Sequence, residues 1–328
     1  MKCWCYEKAG AAADVLQIHE IETPVPGSGE VRVKIAVSAV NPTDCKRRQV
    51  GRELAQFARI IPNNDGSGVI DAVGDGVDPA RIGERSWIFA AQAGRPMGTA
   101  AEYCVLPAHL ARHLPDGQSF EDGACLGVPA VTAHRALFSD GDIADQIILV
   151  TGGSGRVGRY AVQMAKHAGA TVIATAGSAE KVEHVRSLGA DHVFNYKSDD
   201  ILREVAEITK GSGVDRIVDV ALAAHTAEIP ALVRDNGVVA AYSMDHDPNP
   251  RTPLLGLMYK NITLRPFSIF GMPQEAKNAA FTYVEKLTAV GTLNHLIGAR
   301  FAFDEMVKAH ECVEQSELFG TRLIHIDE

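Results

Sequence analysis

From Ile147 to Lys166 the chain reads IILVTGGSGRVGRYAVQMAK: an apolar run, a glycine-rich loop and an amphipathic stretch in direct succession. No other segment narrows the possible folds so far. Gly153, Gly155 and Gly158 give G-x-G-x-x-G, and each glycine has a task in such a loop: a tight turn, close approach of backbone to a pyrophosphate, and close packing of helix on strand. Free N–H groups at the start of the helix then face the phosphates. Gly152, Ser154, Arg156 and Val157 complete this candidate dinucleotide cradle. A strand-to-helix turn that binds nothing uses glycines too, so the surroundings have to decide.

Those surroundings are a βαβ series. QIILVT is followed by RVGRYAVQMAKHAG, TVIAT by EKVEHVRSLG, HVFNY by DDILREVAEITKG, and DRIVDVA by a helical stretch leading to GVVAAYS. The series predicts a parallel sheet with helices on both faces. Up to about residue 120 the pattern differs: EVRVKIAVSAV, GSGVIDAVGDGV, RIGERSWIF and TAAEYCVLP read as short strands broken by glycine, as in a small all-β, barrel-like domain. After Ser243 come a proline-rich connection, DHDPNPRTPLLG, a strand candidate in NITLRPF and a helical PQEAKNAAFTYVEKLTAVG. A length of 328 residues fits two domains.

Which dinucleotide the cradle takes is read at the end of the second strand of the series. An NAD site places an acidic side chain there, about 20 residues beyond the glycines, to accept from the ribose 2′-OH. This chain has Thr175-Ala176-Gly177-Ser178, with no carboxylate to repel a 2′-phosphate. Ser178 offers a hydroxyl and Lys181 a cation close by, although a lysine on a helix serves equally as a solvated surface residue. NADPH is the expected cofactor.

A net charge of -9, with no basic stripe beyond Lys46 to Arg48, argues against nucleic acid as a primary partner. No apolar run approaches the length of a membrane span, and the opening MKCWCYEKAG carries Glu7 and Lys8 where a signal peptide needs its apolar core. The six cysteines are scattered, and only Cys3 and Cys5 are close, on one face of a strand-like run. Small buried hydrophobes in a cytoplasmic protein are expected, not disulfides. The stretch AVNPTDCKRR is harder to read. After a turn-like Asn41-Pro42, on an apparent strand-end loop, Asp44 and Cys45 stand before three basic residues, which suits a metal, a reactive thiol or neither.

Taken together, these pieces resemble the zinc-free quinone oxidoreductase branch of the medium-chain dehydrogenase/reductase superfamily. The residues that carry the resemblance are MKCWCYEKAG with VLQIHEIETPVPGSGEVRVKI, VNPTD, GSGVIDAVGDGV, TAHRALF, the GGSGRVG loop, LGADHVFNY and the closing FGTRLIHI, spread over nearly the whole chain. The resemblance implies an α/β protein with a GroES-like β-barrel catalytic domain, residues 1–122 and 266–328, and a doubly wound parallel-sheet Rossmann domain, residues 123–265. In zinc members the counterpart of Asn41-Pro42-Thr43-Asp44 looks like Cys-His-Thr-Asp, whose Cys binds the metal. The second ligand, a His, falls near Asn64-Asp65-Gly66 and the third, a Cys, near Val128, so no soft ligand stands at any of the three positions. Cys104 alone stands where a structural zinc lobe needs four cysteines, and Pro107 and Pro115 bracket His109 and His113. No metal is expected, and Cys45 becomes a wall residue near the cofactor.

By the same resemblance Asn41 lies near the nicotinamide ribose and Thr132 near the nicotinamide. Gly177, Ser178, Lys181 and Tyr196 surround the adenosine 2′-phosphate, while Tyr242, Ser243, Met244, Arg265, Pro266 and Phe267 line the nicotinamide side. Many members have a Tyr after N-P-x-D, where this chain has Lys46; it is a candidate donor, with Arg48, to oxygen on which negative charge develops. DVALAAH also lacks the glycines usual after its Val. The implied activity is zinc-independent hydride transfer from NADPH to a quinone or α,β-unsaturated carbonyl, with Asn41 and Lys46 as catalytic residues, in a homodimer or homotetramer. Reduction of an enoyl thioester or another alkene is the near alternative. A non-catalytic NADPH-binding role, as among lens and RNA-binding relatives, is the distant one.

Overall fold

The computed structural model describes residues 1–244, 247–315 and 319–326, so Asp245 and His246 of the proline-rich connection lie outside the described residues. In chain order the strands are β1 (Lys2–Cys5), β2 (Gln17–Glu20), β3 (Glu30–Val40), β4 (Asp65–Val73), β5 (Arg85–Ile88), β6 (Tyr103–Pro107) and β7 (Ala111–His113). They continue with β8 (Ile147–Val150), β9 (Thr171–Ala176), β10 (His192–Asn195), β11 (Val214–Asp219), β12 (Val233–Ala241) and β13 (Thr263–Pro266), then β14 (Ile297–Ala302) and β15 (Thr321–His325). The chain divides into two compact units, residues 1–128 with 284–328, and residues 129–283.

In the first unit β3 is the spine. Its EVRVKIAVSAV buries Val31, Val33 and Ile35, with Lys34 exposed between them, the period-two pattern of a strand with one buried face. It is long enough for β15 and β6 to pair with its two ends while β4 runs along its length, all antiparallel. The register with β4 slips twice, between Arg32 and Val33 and between Ile35 and Val37. Such bulges raise local twist and bend a sheet, here the seven-stranded sheet of order β14-β15-β3-β4-β5-β7 to which β6 adds beside β3.

Residues 42–50 correct one expectation. They form a helix, Pro42–Val50, not a strand-end loop. The sequence signals were present: Asn41 at the N-cap, Pro42 at the first helical position, Asp44 at the third, and Gly51 at φ 64° closing the helix. The Asp44 carboxylate accepts the Asn41 backbone N–H at 2.7 Å, half of a capping box. Asp44, Cys45 and Arg48 form the buried face and Lys46 the exposed one.

All six strands of the second unit are parallel, in the order β10-β9-β8-β11-β12-β13. Counted along this unit that order is 3-2-1-4-5-6, the doubly wound arrangement whose strand order reverses between β8 and β11. Helices Arg156–His167, Ala179–Ser187 and Ile201–Ile208 connect successive strands. Leu149, Ile173, Ile217 and Val239 from the sheet, with Leu222 and Leu232, build its core. Among the described residues no helix is long and apolar enough to cross a membrane.

Candidate active site

Within the second unit the glycine loop is tied to the end of β9. Gly153 N–H donates to the Thr175 carbonyl (2.8 Å) and Gly152 N–H to Thr175 Oγ1 (3.1 Å). A Cβ on Gly158 would lie 2.3 Å from the Gly152 carbonyl oxygen, a backbone atom that cannot yield, so only glycine lets the helix Arg156–His167 start this close to the loop. Ser154 is buried, Arg156 and Val157 are half-buried, and Gly155 at the N-cap is exposed. The first N–H groups of a helix have no partner within it, so this cradle fits a pyrophosphate.

At the end of β9 the expected adenosine residues come together. Ser178 caps the helix Ala179–Ser187, its Oγ accepting the Lys181 N–H at 3.3 Å and keeping its own proton to donate. A Cβ on Gly177 would lie 2.6 Å from Tyr196 Oη, so the half-exposed phenol leans over the strand end. Lys181 is half-buried on the first turn of that helix.

Tyr242, Ser243 and Met244 follow β12, Arg265 and Pro266 end β13, and Phe267 follows it. Tyr242 N–H donates to the Asp219 carbonyl (3.1 Å), Leu222 N–H to the Ser243 carbonyl (3.3 Å) and Phe267 N–H to the Ala241 carbonyl (2.9 Å), while Met244 bridges Ala221. Pro266 is exposed. The Arg265 guanidinium is engaged by Asp140, which also accepts from the buried Arg216 at 2.8 Å. Thr132 is buried in the helical segment after Gly127.

One group here was not found by reading the sequence. Asp219, fully buried at the end of β11, accepts from Thr151 Oγ1 (2.8 Å) and the Ala221 N–H (2.8 Å), and lies 3.1 Å from His225 Nδ1. Thr151, Thr175, Tyr196, Asp219 and His225 line a cavity of about 290 Å³ outside the carboxyl ends of β8, β9 and β11. The only signal was the glycine-poor DVALAAH.

In the first unit, the three positions that hold zinc ligands in zinc members converge, but on hydrogen bonds. The buried Asp65 carboxylate accepts from Asn41 Nδ2 (2.8 Å) and from the Val128 N–H (2.9 Å to each oxygen). Asn64 Nδ2 donates to Asp44 Oδ1 at 2.5 Å. The Val128 N–H is freed by a break at Gly127 (φ 1°, ψ -119°) inside Phe120–Phe138. A Cβ there would fall 2.1 Å from Asp65 Oδ1. Among the described residues no three His, Cys, Asp or Glu side chains stand close enough together to hold a metal ion.

Two expectations about the neighbouring residues are corrected. Cys45 turns inward, its Sγ 3.7 Å from His310 Nδ1 and 3.6 Å from the His310 carbonyl. Arg48 is no donor to a substrate, because it is fully buried and bound to Glu314 and the Gly10 carbonyl. Lys46 is exposed. Burial, with the Arg48 guanidinium near it, pulls His310 down to about 3, so the ring is neutral as it meets Asn63 Oδ1 at 3.0 Å.

Residues 27–116 match the family described as alcohol dehydrogenase GroES-like domain, and residues 157–285 the one described as zinc-binding dehydrogenase. The quinone oxidoreductase of Mus musculus is 30% identical over 91% of this chain and 89% of its own. A trans-enoyl reductase of Aspergillus terreus is 33% identical over 61% of this chain and 70% of its own. The fold superposes with a TM-score of 0.87 on a mycobacterial protein solved in complex with NADPH, at 26% identity over 99% of this chain and 100% of that one. The chain belongs to the quinone oxidoreductase branch of the medium-chain dehydrogenase/reductase superfamily. It is an oxidoreductase of that superfamily, with a GroES-like domain and a Rossmann domain that binds NAD(P).

Proposed function

We propose that the chain is a zinc-independent, NADPH-dependent reductase of quinones or α,β-unsaturated carbonyls. The observation that carries this reading is the Asp65 carboxylate bound by Asn41 and Val128, which fills with hydrogen bonds the place where zinc relatives assemble a thiolate and imidazole site. Without a Lewis acid an alkoxide has no strong stabiliser, whereas an electron-poor enone or quinone needs less help to accept hydride. NADPH, when bound, supplies the hydride. Asp65 orients the Asn41 amide toward the nicotinamide ribose, Thr132 lines the nicotinamide, and Lys46 is assigned as donor to the developing oxyanion. Residues 1–122 with 266–328 would serve the substrate and 123–265 the dinucleotide.

The non-acidic end of β9, with Ser178, Lys181 and Tyr196 gathered there, supports NADPH over NADH. Similarity to the trans-enoyl reductase favours enoyl-thioester or alkene reduction as the second reading. A homodimer or homotetramer in the cytoplasm completes the proposal. Leu254, Leu255, Met258 and Tyr259, all between 63% and 80% exposed on one short helix just before the edge strand β13, suit a second copy.

The test is oxidation of NADPH and NADH with a panel of quinones, enones and enoyl thioesters, with and without a chelator. Quinone- or enone-dependent oxidation of NADPH, indifferent to the chelator, is the expected result. Turnover of thioesters alone would move the assignment to the second reading, and loss of turnover with the chelator would overturn zinc independence.

A further inference from the structure

The glycine cradle and the residues at the end of β9 read the phosphates and a ribose of a dinucleotide, and neither reads its base. A cavity suited to the base opens directly beside them. Thr151, which precedes the cradle, and Thr175, whose Oγ1 accepts the Gly152 N–H, both line the cavity of about 290 Å³ outside the ends of β8, β9 and β11. Its floor is apolar, with Leu149, Ile217 and Leu232 each 3% exposed or less. A flat heterocycle that enters beside the cradle buries its faces there.

The polar wall of this cavity carries charge of one sign. Asp199, Asp200, Asp219 and Glu228 line it, and among the described residues no lysine or arginine does. Three of these carboxylates are engaged by the protein itself. Asp219 accepts from Thr151 Oγ1 and the Ala221 N–H and meets His225 Nδ1, as described above. Asp199 accepts from the Asn195 N–H (2.8 Å) and Ser198 Oγ (2.8 Å), and Asp200 caps the helix Ile201–Ile208 by accepting the Arg203 N–H (3.1 Å). Glu228 has a different position. It stands at the N-cap of the short helix Ile229–Leu232, where Ser, Thr, Asp or Asn would turn back to the helix, and its side chain makes no cap bond. Instead Glu228 is half-buried and lines the cavity wall.

We propose that Glu228 determines which base the cofactor carries, accepting the exocyclic amino group of adenine and rejecting a 6-keto purine. An ionised carboxylate is an acceptor only. The 6-amino group of adenine donates to it, whereas a keto oxygen in the same place sets two acceptors against each other, and the acids on the rest of the wall deepen the mismatch. The same charge keeps the anionic parts of the cofactor on the cradle, so the uncharged base is the part that enters. This specificity rests on a dinucleotide seated on the cradle, as in the proposed reductase, and is the same for NADPH and NADH.

The experiment measures by calorimetry, without an electron acceptor, the Kd of NADPH and of its hypoxanthine analogue, in which a keto oxygen replaces the 6-amino group. The full chain is compared with Glu228→Gln and Glu228→Ala, and Tm is recorded without nucleotide. The unmodified chain is expected to bind NADPH about tenfold more tightly than the analogue. Glu228→Gln, whose amide both donates and accepts, should bring the two Kd values within about threefold by tightening the analogue, and Glu228→Ala should do so by weakening NADPH. Tm should hold in both variants, since no cap bond is lost. Tighter binding of the analogue to Glu228→Gln is a gain that a structural role does not produce. Equal Kd values in the unmodified chain, or a preference for NADPH that persists in Glu228→Gln, would overturn the role of Glu228. NADH and its hypoxanthine analogue form a second pair. Discrimination within that pair without binding of NADPH would support Glu228 while defeating the NADPH reading, and binding of none of the four dinucleotides would overturn both.

Discussion

Asp65 accepts the side-chain amide of Asn41 at 2.8 Å, joining the end of β3 to the start of β4 at the spot where zinc members of the superfamily bind their metal. The same carboxylate takes the Val128 N–H, so one side chain ties together the three positions.

Replacing Asp65 with Ala should strand the Asn41 amide and the Val128 N–H in the interior. Each buried donor left unpaired costs about 1–3 kcal/mol. Denaturant unfolding of the variant should show a loss of about 2–4 kcal/mol, with kcat/KM falling as Asn41 loses its orientation. Wild-type stability and rates would remove Asp65 from any positioning role.

The two glycines of the cofactor region should respond differently to alanine. Gly158→Ala drives a Cβ to 2.3 Å from the Gly152 carbonyl, so the loop itself must shift and the affinity for both NADPH and NADH should collapse. Gly177→Ala meets only the hydroxyl end of half-exposed Tyr196, at 2.6 Å, and that side chain can swing away. Tm should hold and NADPH affinity alone should drop, which titration of each variant with both cofactors would reveal.

Lys181→Ala should weaken NADPH by about 1–3 kcal/mol, the range for a charge-assisted hydrogen bond, and leave NADH nearly unaffected. Equal losses for the two cofactors would refute its placement at the 2′-phosphate.

Stability should decline in mild acid. The folded chain holds His310 at about 3 and His134 at about 4, both pulled down first by burial, whereas an unfolded histidine titrates near 6.5. Between these limits the unfolded state binds the extra protons, so the contribution is fully present above about pH 6.5 and is lost as pH falls toward the folded values. Each histidine gives a slope approaching about 1.4 kcal/mol per pH unit inside its window. Urea midpoints from pH 7.5 to 4.5 should fall accordingly, and His134→Gln should flatten the curve. A flat wild-type curve would contradict the burial of both rings as neutral imidazoles.

The doubly wound sheet, the glycine cradle and the non-acidic end of β9 could be read from the chain itself, because each is a local pattern: alternating periods, a G-x-G-x-x-G between strand and helix, four residues at a strand end. The helix Pro42–Val50 was equally local, with its cap, proline and closing glycine in place, and was hidden by the turn-like Asn41-Pro42 that opens it. What no local pattern carries is the partner of a side chain far away in sequence. Asp65 meets Asn41 across 24 residues and Val128 across 63, and Arg48 is buried against Glu314 across 266. Thr151 finds Asp219 only once strands have paired and turns have closed. The sequence by itself determined which residues form strands, helices and the phosphate loop, since neighbours along the chain set backbone preference and hydrophobic period. Tertiary structure alone decided which polar groups are desolvated and what satisfies them, because that depends on distances the chain acquires only by folding.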